Sequence, residues 1–537
     1  MPTIPSIVSG SLPQPEGPFP VGYFTLAHAP LPGQGFVLSS PTIDTRVSGN
    51  AKTYGEHDAP TSGWEPGHVP ALGMRRVEYS VYYPCEPPTG WFGREAGPAG
   101  VGWLPSPVND VLEGYTRFMN DSSWLRAAYP LLRVLGGRLS VPVYPAAKPL
   151  ASITPPSPSP TSTPSQPHKP KLVIFSHGLA GTHLTYSHIC RGLASRGYVV
   201  LSMAHQDGSG PFASIPAGKA SCGLWGERGG VVRKRKEDGP MEGDDGKGKG
   251  IGRIVANPEP KLEDERGEAF KLSYLRYNEL DWSPDPRPDV MTLRSLQLDI
   301  RVHELYATYR SFHKLVTDGP AALPGLTMVA GSDTPLPDSE AQTFLETHFI
   351  KDKVDTESLD LLGHSFGGGT VIWALERDVP EGEDKLPVRK AVALDPWVDP
   401  MPMPAPMKGK KNAPDVPIFA INSSRFTLWS THFSRLKRLI RASEGTLVTL
   451  LGAGHESFSD FPFLWAPKPA YSLITTVDSL VHAFLRGEVR EHEKIKGKEE
   501  DRGVVRTTTK DARGKETGKQ QLEGKWGEVV VHNLGRI

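Results

Sequence analysis

Alternating strand and helix patterns predict an α/β fold, a mostly parallel central sheet with helices on both faces. Three observations carry the prediction. Apolar runs at 171–178 and 197–203 flank a stretch in which Tyr186, Ile189, Cys190, Leu193 and Ala194 share a helical face. Such a β–α–β unit requires parallel strands. A third apolar run, Leu359 with Leu361 and Leu362, leads through Gly363-His364-Ser365-Phe366-Gly367 into a helical pattern at 371–376. Three more apolar strands follow at 389–395, 416–422 and 446–451.

The elements before the first unit are sparser. Residues 1–70 are rich in Pro, Gly and Ser, with one strand at 21–26; a better strand, alternating and β-branched or aromatic, spans 76–83. Cys85 to Gly102 is turn-rich. Across 108–137, Val111, Leu112, Tyr115, Phe118 and Met119, then Trp124, Leu125, Ala128, Leu131, Leu132 and Leu135, fall at helical spacing. They read as two core helices or as an amphipathic face that touches lipid. Residues 151–170 form a Pro/Ser-rich loop, and 219–268 a charged insertion expected to be disordered.

The longest helical pattern runs from 293 to 316, with Leu298, Val302, Leu305, Tyr306, Tyr309 and Phe312 on one face. Asp299 and His303 lie four apart on it. With no third ligand in view they read as helix-surface residues. His205 and Asp207 are likewise too weak a pattern for a metal site. An apolar helix at 472–485 closes the domain, placed at 17–485. Residues 486–537 are a charged tail expected to be disordered, with a strand at 529–531.

Bulk properties narrow the function. Among 537 residues, 60 basic and 60 acidic side chains balance, so nothing points to a nucleic-acid partner. The 3 cysteines, Cys85, Cys190 and Cys222, show no framework spacing and suit free thiols in a reducing compartment. No basic, apolar leader opens the chain. No run reaches the length of a membrane span, and Pro2 excludes N-myristoylation. The expectation is a cytoplasmic protein.

The chemistry sits at the run that ends in Gly363-His364-Ser365-Phe366-Gly367. Strand, Gly-x-Ser-x-Gly and helix form a nucleophile elbow, which stands Ser365 clear of the sheet. Serine needs a base, and the base an acid to hold it. Asp395 ends the strand at 389–395, and His455 leaves the end of the last strand. The chain order Ser365, Asp395, His455 is that of the α/β-hydrolase triad. Asp399 and Asp460 are the rival acids, but neither directly ends an apolar strand. His364 lies inside the elbow, with its ring expected to face away. His177 is expected to shape the oxyanion loop, whose N–H donors would be those of Leu179 and Phe366. No metal and no cofactor are called for.

Phe175-Ser176-His177-Gly178-Leu179, Gly363-His364-Ser365-Phe366-Gly367-Gly368, Ala393-Leu394-Asp395-Pro396-Trp397 and Gly454-His455-Glu456-Ser457-Phe458 resemble the platelet-activating factor acetylhydrolases of the plasma and intracellular type II kind. The likeness runs over roughly residues 17–485, broken by the insertions. It implies an α/β-hydrolase fold and calcium-independent cleavage of short or oxidised sn-2 acyl chains from phospholipids. It also implies that Ser365, Asp395 and His455 form the triad and that Trp397 lines the substrate pocket. The sequence departs from the family at Glu456, where Gln is usual, and at Ala204-His205-Gln206-Asp207, where Glu-His-Arg-Asp is usual. A phospholipid substrate is the implied partner, with peripheral membrane contact through 108–137. The alternatives are a general carboxylesterase, lipase or serine peptidase on the same fold, or a non-catalytic binding protein.

Overall fold

The computed structural model describes residues 10–534 except 33, 39–40, 45–67, 90–94, 121–133, 135–136, 151, 154–167, 216–269, 283–286, 332–333, 351–352, 381, 402–415, 497–505 and 511–515. The expected charged insertion, most of the Pro/Ser-rich loop, Cys222 and the second helix of 108–137 therefore lie outside the described residues. The first helix is present as α1 (Val108–Phe118), with Val111 and Leu112 buried.

The central sheet is built from β1 (Val21–His28), β2 (Val77–Pro84), β3 (Lys171–Ser176), β4 (Tyr198–Met203), β5 (Asp355–His364), β6 (Val388–Leu394), β7 (Ile418–Ser423), β8 (Thr446–Leu450) and β9 (Val529–Val531). Its order is β1-β2-β4-β3-β5-β6-β7-β8-β9, with a short strand at Thr327–Val329 outside β1. β2 runs antiparallel to both neighbours; β4 through β8 are parallel throughout. That order, with one reversed strand near the start and a parallel run after it, is the α/β-hydrolase arrangement.

Two-residue alternation splits the strands between two cores. On β3, Leu172 and Ile174 face one apolar cluster, while Val173 and Phe175 face the other. On β6, Ala391 and Ala393 oppose Val392 and Leu394 in the same way. Both faces are covered, so the strands are continuously apolar. The first cluster is closed by α3 (Val290–Asp318) and α5 (Phe366–Glu376), after α4 (Asp338–His348). The second is closed by α2 (Ser187–Ala194) and the last long helix, α8 (Pro467–Arg486), which follows the short α6 (Ser424–Leu428) and α7 (Ser430–Ala442). Asp289 caps α3 by accepting from Thr292 N–H at 2.7 Å.

Two expectations need correction. Asp299 is not a free surface residue of α3: it accepts from Trp373 Nε1 at 2.8 Å and from Arg377 at 2.5 Å, tying α3 to α5. The tail beyond Arg486, expected to be disordered apart from a strand at 529–531, forms that strand and also pairs Arg506–Lys510 with Glu516–Leu522. Val529 is fully buried, and β9 extends the sheet beside β8. Its apolar triplet suffices because β8 already presents an unpaired edge.

Candidate active site

Parallel strands deliver their C-terminal ends to one edge, and the three singled-out side chains arrive there from β5, β6 and β8. Ser365 follows β5 at φ 55° and ψ −117°, a conformation costing an L-residue about 1–3 kcal/mol. Its backbone is held on both sides. Ser365 N–H donates to Leu394 C=O at 2.9 Å, and Ser365 C=O accepts from Trp397 N–H at 2.8 Å and Gly369 N–H at 2.9 Å. The turn excludes side chains: a Cβ on Gly363 would lie 2.3 Å from the Gly367 carbonyl oxygen, and one on Gly367 2.0 Å from that of Ser176.

His455 Nε2 lies 2.9 Å from Ser365 Oγ, and its Nδ1 lies 2.7 Å from Asp395 Oδ2. Asp395 is fully buried and itself sits at φ 42°. Ser423, at the end of β7, donates to it twice, from N–H to Oδ1 and from Oγ to Oδ2, each at 2.7 Å. The carboxylate so held accepts a hydrogen bond from the Nδ1–H of His455, which fixes the tautomer whose Nε2 lone pair faces Ser365. Ser423 also caps α6. That helix places the Phe426 ring flat on His455, with centroids 4.4 Å apart and planes 4° apart.

The rival residues take other work. Asp460 is buried at the start of α2, where it accepts from Ser187 N–H, Ser187 Oγ and His188 N–H; burial pushes it up to about 6. His364 turns from the serine, as its place in the elbow predicts. Its Nε2–H donates to the His455 carbonyl at 3.0 Å, while Nδ1 accepts from Tyr186 OH at 2.8 Å. Tyr186 OH in turn accepts from Gly178 N–H at 3.2 Å. Burial, then the neighbouring His455, hold His364 well below the usual imidazole range, so the ring is neutral. Among the described residues, His364, Asp395 and His455 are the three metal-capable side chains that converge. Both His364 nitrogens are already committed, which leaves no third ligand.

Gly178 packs directly on the serine, since a Cβ there would meet Ser365 Cβ at 3.0 Å. The loop is pinned beyond it by Ala180 N–H on Ser209 C=O at 2.7 Å. Phe366 opens α5, where helix geometry offers its N–H no acceptor. Trp397 is half-buried with its ring 5.8 Å from that of Phe366.

Behind this loop is a buried polar cluster that sequence reading missed. Arg301 of α3 donates to Asp207 Oδ2 at 2.9 Å, to His177 C=O at 2.5 Å and to Ser209 Oγ at 2.5 Å. Its guanidinium also lies over the Phe366 ring, 4.6 Å from the centroid. One side chain thus touches the segments on both sides of Ser365. Beside it, His205 Nδ1 lies 2.5 Å from Glu304 Oε2. Burial drives Glu304 well above the carboxylate range and His205 well below the imidazole range, so this pair is neutral beside the Arg301–Asp207 ion pair. Here His205 pairs with Glu304 and Asp207 with Arg301. The helical pattern that predicts α3 gives no sign of this, since Arg301 meets His177 across 124 positions.

The chain is similar to several known proteins. Residues 97–220 and 338–475 match the family model described as platelet-activating factor acetylhydrolase, isoform II. A platelet-activating factor acetylhydrolase of Gallus gallus is 26% identical over 296 residues, covering 55% of this chain and 53% of that one. One of Cavia porcellus is 24% identical over 403 residues, covering 69% and 70%. A putative phospholipase A2 of Schizosaccharomyces pombe is 28% identical over 145 residues, covering 26% and 27%. The chain spans about half the length of the Gallus gallus relative.

Proposed function

Since the chain belongs to the platelet-activating factor acetylhydrolase family, of the isoform II kind, we propose that it is a serine-dependent, calcium-independent hydrolase of phospholipids with a short or oxidised sn-2 acyl chain. The observation that carries this reading is the unbroken series Ser365 Oγ, His455 Nε2 and Nδ1, Asp395 Oδ2, with links of 2.9 and 2.7 Å.

In this mechanism Ser365 Oγ attacks the sn-2 carbonyl carbon while its proton passes to His455 Nε2. Asp395 holds and charge-compensates the imidazolium. The carbonyl oxygen becomes an oxyanion, met by the N–H groups of Leu179 and Phe366. Collapse breaks the ester C–O bond, and the proton on Nε2 goes to the departing lysophospholipid hydroxyl. Water then adds to the acyl-enzyme with His455 as base, releasing the fatty acid and restoring Ser365. The oxyanion charge is met by backbone dipoles, so no step calls on calcium.

The pocket must set chain length, because the chemistry accepts any ester. Trp397 and Phe366 pack against each other beside Ser365, and we assign them the wall of the acyl side. Peripheral membrane contact belongs to the same proposal: Phe118 and Met119, at the end of α1, are 40% and 45% exposed. The test is a panel of phosphatidylcholines graded in sn-2 length. Acetyl, butyryl and oxidatively truncated chains should be cleaved well, and palmitoyl or oleoyl poorly. Equal rates on long and acetyl chains would replace this reading with a general lipase or esterase.

A further inference from the structure

The end of the chain packs onto the elements that hold His455 and Asp395. The family match stops at residue 475, yet β9 pairs with β8 in register, Val531 opposite Val448, Val530 opposite Thr449 and Val529 opposite Leu450. Pairing continues past the strand. Leu451 N–H donates to Glu528 C=O, and Gly527 N–H to Leu451 C=O, each at 2.8 Å. Leu451 begins the short loop that carries His455. The next residue, Gly452, has φ +81°, and the Trp526 ring lies on it: a Cβ there would sit 2.1 Å from Trp526 Cδ1. Val529 is fully buried in one cluster with Val448, Leu450 and Ala453.

A second connection reaches the acid. His532 is buried, with Nε2 2.7 Å from Thr449 Oγ1. Thr449 Oγ1 lies 2.7 Å from Thr427 Oγ1, and Thr427 donates to Ser423 C=O at 2.9 Å. Each hydroxyl has one proton. Thr427 uses its own on the Ser423 carbonyl, so Thr449 donates to Thr427 and His532 donates to Thr449. The chain of donors therefore runs one way, from the last strand to the residue that grips Asp395 with two bonds.

We infer that residues 524–532 brace this site, with Trp526 and His532 as positioning residues for the base loop and the acid. The inference rests on the reading of Ser365, Asp395 and His455 as an ester-hydrolysing triad. His455 is 31% exposed and follows Gly452 and Gly454, so its position depends on what holds that loop. Proton transfer needs Nε2 within hydrogen-bond reach of Oγ, and misplacement by about 1 Å costs up to about 100-fold.

The test uses the full-length protein with Trp526→Ala, His532→Leu and His532→Gln. Active sites are counted by fluorophosphonate titration, so that rates refer to intact sites only. Trp526→Ala should lower kcat per titrated site by about tenfold or more, with KM nearly unchanged. His532→Leu should do the same, and His532→Gln, which keeps an N–H donor, should restore most of the loss. If Trp526→Ala does not fold, the His532 pair decides. Wild-type kcat per site in these variants, or a rise in KM without a fall in kcat, would overturn the brace. A Ser365→Ala control that keeps its activity would instead overturn the triad beneath it, so the two failures are distinct.

Discussion

Arg301→Met tests whether the buried cluster behind Ser365 matters for both fold and rate. The substitution keeps much of the side-chain volume but removes the donors to Asp207, His177 and Ser209. Asp207 and Arg301 are both fully buried, so Asp207 is left as a buried charge without its partner. Breaking such a pair costs about 3–5 kcal/mol, against a typical total of about 5–15 kcal/mol. The His177 carbonyl also loses its donor, and Phe366 loses the cation over its ring. The oxyanion donors of the proposed mechanism are then free to drift, and losing one such donor outright costs about 10²–10³ in kcat. Arg301→Met should therefore lose stability by about 3–5 kcal/mol in urea unfolding and lose at least tenfold in kcat per titrated site, about a tenth of that full effect. Asp207→Asn combined with Arg301→Met removes the stranded charge and should recover much of the stability but little of the rate. A single Arg301→Met variant within about 1 kcal/mol of wild type would refute the reasoning.

Two further outcomes follow from particular side chains. Burial pushes Asp478 up to about 8 and holds its neighbour His188, 3.5 Å away, well below the imidazole range. The native state then keeps a proton that an unfolded Asp releases near about 4, so the contribution of Asp478 to stability falls as pH rises from about 4 to about 8. Between pH 5 and pH 8 in urea melts, Asp478→Asn should gain stability relative to wild type, and a pH dependence identical to wild type would contradict it. Trp397→Ala should open the acyl side and raise the relative rate on longer sn-2 chains. Each methylene newly accommodated is worth about 0.8 kcal/mol, and an unchanged chain-length profile would remove Trp397 from the pocket wall.

Much of this architecture is legible in the sequence because its signals are local. The β-strands at the centre are uninterrupted apolar runs, and the elbow declares itself through Gly363, Ser365 and Gly367, where added Cβ atoms at either glycine would strike backbone. Asp395 and His455 are found because each leaves the end of such a run. What stayed hidden is what those ends touch. The Arg301 cluster joins α3 to two loops far away in sequence, and nothing in an amphipathic pattern marks a buried arginine among its polar positions. Phe426 stacks on His455 only because Ser423 starts α6 at that angle. The strand at 529–531 is legible as three valines in a charged stretch, but the edge of β8 on which it pairs is not. The pairing of His364 with Tyr186 and the His455 carbonyl likewise needs three segments to meet.

The central claim is that Ser365 takes the acyl group from the sn-2 position. It is tested most directly by quenching turnover of a 2-acetyl phosphatidylcholine in acid and mapping the adduct by mass spectrometry. One acetyl group is expected on the peptide carrying Ser365, absent from Ser365→Ala, which should also lose turnover. Steady hydrolysis by Ser365→Ala, or an acyl group trapped on another residue, would contradict it.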